Sequence, residues 1–101
     1  MFGMIVKMTA APGKRDELIA VLIKSTEMPG CLSYVVAKDS TDENAIWITE
    51  AWDSVESHAA SLSLPSVKNS IAQAKPMIAG FEKIAVTSPV GGVGLHSTQT
   101  R

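Results

Sequence analysis

The sequence predicts an α+β domain in which four strands and three helices follow in the order β-α-β-β-α-α-β around an antiparallel sheet. Segments rich in large apolar residues alternate with segments whose apolar residues recur every three or four positions. Only a short polar stretch, residues 39–44, joins the second and third strands, so these two pair antiparallel. A chain of 101 residues, 46% apolar and 19% charged, suits a single globular domain.

The first strand is predicted over residues 4–10, where large apolar side chains precede the turn Ala11-Pro12-Gly13. A helix is predicted over residues 14–26 because one face repeats at helical spacing. This face comprises Leu18, Val21, Leu22 and Ser25. Met28-Pro29-Gly30 ends the helix and leads into the second strand, residues 31–38. The third strand is predicted over residues 45–52.

The second helix is predicted to start at Asp53, since Glu56 follows it at the spacing of a capping box, and to stop near Ser63. Its apolar face is predicted to consist of Val55, Ala59 and Leu62.

Pro65 suits the first position of a third helix, which Pro76 kinks or ends. The apolar face of this helix is predicted to consist of Val67, Ile71, Ala74 and Ile78. Gly80 releases the chain into the fourth strand, residues 81–87. Residues 1–88 form the predicted domain, a split βαβ or ferredoxin-like arrangement, and residues 89–101 a flexible tail or docking arm.

The predicted sheet carries large side chains on both faces. In the first strand, Met4, Val6 and Met8 oppose Ile5, and in the third strand Trp47 opposes Ile48. The fourth strand repeats the pattern, with Ile84 and Val86 opposing Phe81, Ala85 and Thr87. Helices can bury only one face, and monomers rarely expose a large apolar surface. We therefore expect a homodimer in which a second sheet covers the other face.

Composition argues against several classes of protein. The formal net charge of −1 gives no basis for capturing nucleic acid or an anionic membrane. The single cysteine, Cys31, has no internal disulfide partner, and the apolar start of the chain is too short for a membrane span. We expect a cytoplasmic protein. No group of His, Cys and carboxylates has the spacing of a metal site, so no metal is expected.

His58 is the candidate catalytic residue. On the second helix it flanks the predicted apolar stripe, so its imidazole can reach a cavity beneath the helix and accept a proton near neutral pH. A boundary histidine that hydrogen-bonds solvent or backbone is the structural alternative. His96 lies in the glycine-rich tail and is expected to be solvated.

Several aromatic residues could line a pocket for a flat ligand, with methionines as adaptable walls. They are Trp47, Trp52, Tyr34, Phe81, Met4 and Met8. Core packing explains them equally well. Glu50 interrupts an apolar strand, and a half-buried carboxylate there needs a partner such as Lys7 or takes part in chemistry.

The segment Ile48-Thr49-Glu50-Ala51-Trp52-Asp53-Ser54-Val55-Glu56-Ser57-His58 resembles the antibiotic biosynthesis monooxygenase domain family, also called quinol monooxygenase-like, of the dimeric α+β barrel superfamily. The resemblance spans about residues 4–87. It is also carried by Pro12-Gly13-Lys14, Pro29-Gly30-Cys31 and Ala60-Ser61-Leu62-Ser63-Leu64-Pro65.

The resemblance implies a dimeric barrel and oxidation of a quinol or polycyclic phenol by molecular oxygen without a cofactor. His58 is then the base that deprotonates the substrate, and Trp52, Trp47, Tyr34, Met4 and Glu50 bind it. Other activities in the family leave carbonyl isomerisation or ligand binding without catalysis as alternatives. Haem degradation fits less well, because it is associated with an asparagine on the first strand and residues 4–10 contain none.

Overall fold

The computed structural model describes residues 1–24 and 27–95 and has the predicted order of elements. The strands are β1 (Phe2–Ala10), β2 (Cys31–Lys38), β3 (Ala45–Trp52) and β4 (Ile78–Thr87). The helices are α1 (Arg15–Leu22), α2 (Val55–Ser61) and α3 (Pro65–Ala74), the last followed by a 3-10 turn (Lys75–Met77). The strands form one antiparallel sheet in the order β2-β3-β1-β4. This order is that of a ferredoxin-like fold and confirms the predicted fold class.

Several element boundaries differ from the prediction: β1 begins two residues early, at Phe2, and α2 is shorter than predicted at both ends. Helix α1 ends at Leu22 rather than at position 26, and Ser25 lies outside the described residues. Strand β4 begins at Ile78, three residues early, because the 3-10 turn around Pro76 ends the helix and Gly80 already pairs with Thr9 inside the strand.

One face of the sheet, here called the helix face, packs against the helices. It includes the alternate β1 residues Met4, Val6 and Met8, which are buried. Leu18 of α1 and Ala74 of α3 belong to the same core cluster. The hydrophobic core therefore lies between β1, β3 and these two helices.

The opposite or outer face carries Ile5, Trp47 and Val35, and Val35 is 54% exposed. Phe81 does not join them, although alternation predicts that it shares a face with Ala85. It pairs with Met8 on the helix face, whereas Ala85 pairs with Ile5. The register shifts by one residue at Ile84, and such a bulge moves side chains to the other face.

Trp47 is held on the outer face by the β2–β3 hairpin. Its indole N–H donates to Oδ1 of Asp39 at 2.7 Å, and the Lys7 ammonium lies 5.8 Å from the ring centroid. Hydrogen bonds from the Asp42 amide, this indole and the Thr41 amide hold the pKa of Asp39 well below its ordinary value. The carboxylate thus fixes both the turn and the tryptophan.

The chain after β4 has no helix or strand up to Leu95, the last described residue. Pro89 packs on β1, since a Cβ atom on Gly3 would lie 2.9 Å from it, whereas Val90 and Val93 are exposed. The tail or docking arm over residues 89–101 stays a prediction, and His96 lies outside the described residues. Across residues 1–24 and 27–95, every helix is too short or too polar to cross a membrane.

Candidate active site

Glu50 and Trp52 lie two residues apart on β3 and both project from the helix face. Trp52 is 1% exposed, so its indole N–H needs an acceptor within the protein. Oε1 of Glu50 accepts that hydrogen bond at 2.9 Å. Lys7, considered as one possible partner of Glu50, instead pairs with Trp47 on the outer face.

Helix α2 starts one residue later than the predicted capping box. The Oγ atom of Ser54, not Asp53, accepts the backbone N–H of Ser57 at 3.1 Å. The backbone N–H of Asp53 instead donates to the carbonyl of Gly30 at 2.9 Å. This bond ties the start of α2 to the turn that precedes β2.

The polar side of α2 faces inward, which reverses the predicted orientation. Ser57, His58 and Ser61 are the more buried positions of the helix, whereas Val55 is 51% exposed and Leu62 is 48% exposed. On the inward side of this short helix, His58 packs against aromatic rings. The spacing of the apolar residues therefore predicted the wrong buried face.

His58 is wedged between two aromatic rings. Its ring centroid lies 5.4 Å from that of Phe2 and 5.3 Å from that of Trp52, which it meets edge to face. Its Nε2 atom lies 3.9 Å from Oε1 of Glu50, and both side chains are largely shielded from solvent. The two groups are therefore within ion-pair distance when the imidazole is protonated.

A cavity of about 360 Å³ opens between the helix face and helices α2 and α3. Its polar lining consists of Tyr34, Glu50, His58, Ser61 and Lys83. Apolar side chains form most of the remaining wall, among them Met4, Val6, Met8, Ile48, Trp52 and Phe81. A largely apolar cavity with a few convergent polar groups is typical of a small-molecule site.

Tyr34 lies beside Glu50, its partner in the β2–β3 register. Burial and, after it, the negative charges of Glu50 and Cys31 together raise the pKa of the Tyr34 phenol to about 12. The phenol therefore stays protonated throughout the physiological range and is available as a hydrogen-bond donor.

Five of the six predicted site residues line this one cavity: His58, Trp52, Tyr34, Met4 and Glu50. Trp47 does not, because it projects from the outer face and bonds to Asp39. Phe81 and Met8, also considered for a pocket, do reach the cavity.

Lys83 also lines the cavity, although no pattern in the sequence predicts it there. It pairs with Val6 on the helix face, two residues after Phe81. The bulge at Ile84 places Lys83 and Val86 on the same face, although strict alternation would put them on opposite faces. No local pattern marks that bulge. Within residues 1–24 and 27–95, no three or more His, Cys, Asp or Glu side chains gather as a metal site would require.

Comparisons with known proteins agree with this fold. The family model for antibiotic biosynthesis monooxygenases matches residues 1–73. The crystal structure of a protein from Chloroflexus aurantiacus J-10-fl, named as a candidate antibiotic biosynthesis monooxygenase, is 59% identical, with a TM-score of 0.89 over 93% of this chain and 97% of that one.

More distant structures share the fold. A protein from Caulobacter crescentus CB15 with the same family name is 21% identical, with a TM-score of 0.76 over 89% of this chain and 90% of that one. A namesake from Deinococcus radiodurans is 20% identical, with a TM-score of 0.75 over 96% of this chain and 100% of that one. No curated protein matches the chain. The family model covers most of the chain, which therefore belongs to the antibiotic biosynthesis monooxygenase family.

Proposed function

We propose that this protein is a monooxygenase that oxidises a quinol or polycyclic phenol with molecular oxygen and needs no cofactor. The observation that carries the proposal is His58, backed by Glu50 at 3.9 Å, on the wall of a largely apolar cavity of about 360 Å³. Such a cavity accepts a flat aromatic molecule, and the imidazole is placed to remove its phenolic proton.

Deprotonation is the step for which the protein is needed. His58 accepts the phenolic proton, and Glu50 stabilises the resulting imidazolium. The phenolate then passes one electron to oxygen, and the two radicals combine to form a carbon–oxygen bond. The imidazolium returns its proton to the terminal oxygen, which gives a hydroperoxide. Tyr34, which stays protonated, donates a hydrogen bond to a substrate oxygen.

The overall reaction balances without a separate reductant. Loss of the C–H proton breaks the O–O bond of the hydroperoxide, leaving a carbonyl on the substrate and releasing water. The substrate thus loses two hydrogen atoms and gains one oxygen atom. It supplies all four electrons that reduce the oxygen molecule.

Oxygen uptake tests the proposal. The purified protein, with a chelator present, is mixed with hydroquinones, naphthohydroquinones and anthrones in an oxygen electrode. We expect one oxygen molecule consumed per product formed and no accumulation of hydrogen peroxide. Peroxide formed in equal amount would indicate simple oxidation, and no uptake with any member of the panel would refute the proposal.

Carbonyl isomerisation is the second candidate, favoured by the presence of a base and a protonated phenol, His58 and Tyr34, on one cavity wall. Such a pair can move a proton between two carbons through an enol. Exchange of substrate protons with deuterium from solvent, in the absence of oxygen uptake, would favour this reaction over oxygenation.

We also propose that two copies pair through the outer faces of their sheets. Val35 is 54% exposed there, in the same cross-strand row as Ile5, with Thr49 between them. Face-to-face packing of two sheets would cover these side chains and close a barrel. Light scattering at micromolar concentration is expected to give twice the monomer mass of 10.7 kDa, and a dominant monomer would contradict the pairing.

A further inference from the structure

The cavity at His58 continues into a second lobe of about 150 Å³ between α1, α3 and the sheet. Both spaces share Met8, Leu22, Met28, Tyr34, Val67 and Ile71 as lining, so they are adjoining parts of one cavity. Ala74 and Ile78 line the lobe only, whereas His58 and Glu50 line the larger space only. We call this space the apolar lobe.

The lobe lies at the end of the sheet away from the catalytic residues. Met4 pairs with Glu50, and Met8, which borders both spaces, follows four residues later on β1, whereas Ile78, which lines the lobe only, pairs with Ala10. At about 3.3 Å per residue in a strand, the lobe therefore extends from about 13 Å to about 20 Å along β1 from the partner of Glu50. A ligand that reaches from His58 into the lobe is therefore longer than one phenol ring.

The residues that line the apolar lobe favour a hydrocarbon ligand over a polar one. Except for Ser70 and Lys75, every residue around the lobe is apolar or, in the case of Tyr34, aromatic. Ala74, a residue that is 3% exposed, is part of this lining. A largely apolar space of about 150 Å³ is large enough for a molecule the size of benzene.

We propose that the substrate carries a hydrocarbon chain of about six carbons, which occupies the apolar lobe while the phenol lies at His58. This inference rests on the proposed function, because it assumes that the phenol end of the ligand lies beside His58. The lobe then acts as a specificity site: it binds the chain, and the chain holds the ring beside the base.

Binding of 4-n-alkylphenols from ethyl to octyl tests the proposal, with dissociation constants measured by calorimetry. Each methylene group buried in the lobe is expected to tighten binding about fourfold. The increase should stop after about six carbons, when the lobe is full. Affinity that is independent of chain length, or that rises through octyl without levelling, would overturn the proposal.

Two variants on α3 form a matched pair. Ala74→Leu fills the lobe and is expected to lower the affinity for hexylphenol at least tenfold while ethylphenol still binds. Ala72→Leu adds the same group at an exposed position and should change neither value. Equal effects of both variants would contradict the assignment.

A third variant keeps the test decisive if the leucine of Ala74→Leu prevents folding. Ile78→Ala enlarges the lobe, so the longest chain that still gains affinity should become longer. An unchanged limit would overturn the proposal. These binding measurements need no turnover. Oxygen uptake combined with affinities that do not depend on chain length would refute the role of the lobe alone. Affinities that depend on chain length, without oxygen uptake or proton exchange, would refute the proposed chemistry alone.

Discussion

Replacing His58 with alanine is expected to lower kcat for phenol oxidation by about 10²–10⁴-fold, the usual contribution of a positioned base. The phenolic proton must leave before oxygen can react, and the imidazole is the group placed to receive it. Steady-state oxygen uptake measures the effect. Because substrate also contacts the other cavity walls, KM should change much less than kcat.

A loss of ring packing has to be separated from a loss of the base, since His58 contacts Phe2 and Trp52. His58→Phe keeps an aromatic ring and removes both nitrogens, so it should be as slow as His58→Ala. Added imidazole should partly restore His58→Ala. Activity of either variant within about threefold of the native protein would remove His58 from the mechanism.

Replacing Gly30 with alanine is expected to destabilise the protein by about 2–4 kcal/mol and to disturb the active site as well. Gly30 has φ of 85°, a conformation that disfavours residues with a Cβ atom. A Cβ atom there would lie 2.5 Å from Oγ of Ser57 and 2.8 Å from Oδ1 of Asp53. Ser57 lies in the first turn of α2 and Asp53 directly precedes its cap, so the start of the helix that carries His58 must move.

Gly13 provides the matched control, because its φ is 77° and a Cβ atom would meet no atom within 4 Å. Gly13→Ala therefore carries only the conformational cost of about 1 kcal/mol. Urea unfolding gives both free energies, and oxygen uptake shows whether kcat falls in Gly30→Ala alone. Equal losses of stability in the two variants would contradict the role of the contact with α2.

The central hairpin could be predicted accurately because its signals are local. Both β2 and β3 have their predicted bounds, set by the turn Pro29-Gly30 and the polar connection at residues 39–44. Pro65 likewise occupies the first turn of α3. In the turn Pro29-Gly30, the Met28 carbonyl accepts a hydrogen bond from the Cys31 amide at 3.0 Å, and this turn requires the positive φ of Gly30.

The site was harder to predict, because its residues depend on contacts between distant parts of the chain. The bulge at Ile84 decides which side chains of β4 reach the cavity, and it has no marker in the sequence. Helix α2 turns its serines and His58 inward, because the imidazole packs between the rings of Phe2 on β1 and Trp52 on β3. Trp47 and Trp52 look alike in sequence, yet odd and even positions on β3 place them on opposite faces.

Isotope labelling most directly tests whether the cavity supports oxygenation of an aromatic substrate. The protein and a quinol or anthrone that it oxidises are mixed under ¹⁸O₂ in ordinary water, with a chelator present, and the product is analysed at once by mass spectrometry. We expect one labelled oxygen atom per product molecule, no external reductant consumed, and loss of the labelled product in His58→Ala. A product that carries no label from the gas would contradict the proposed reaction.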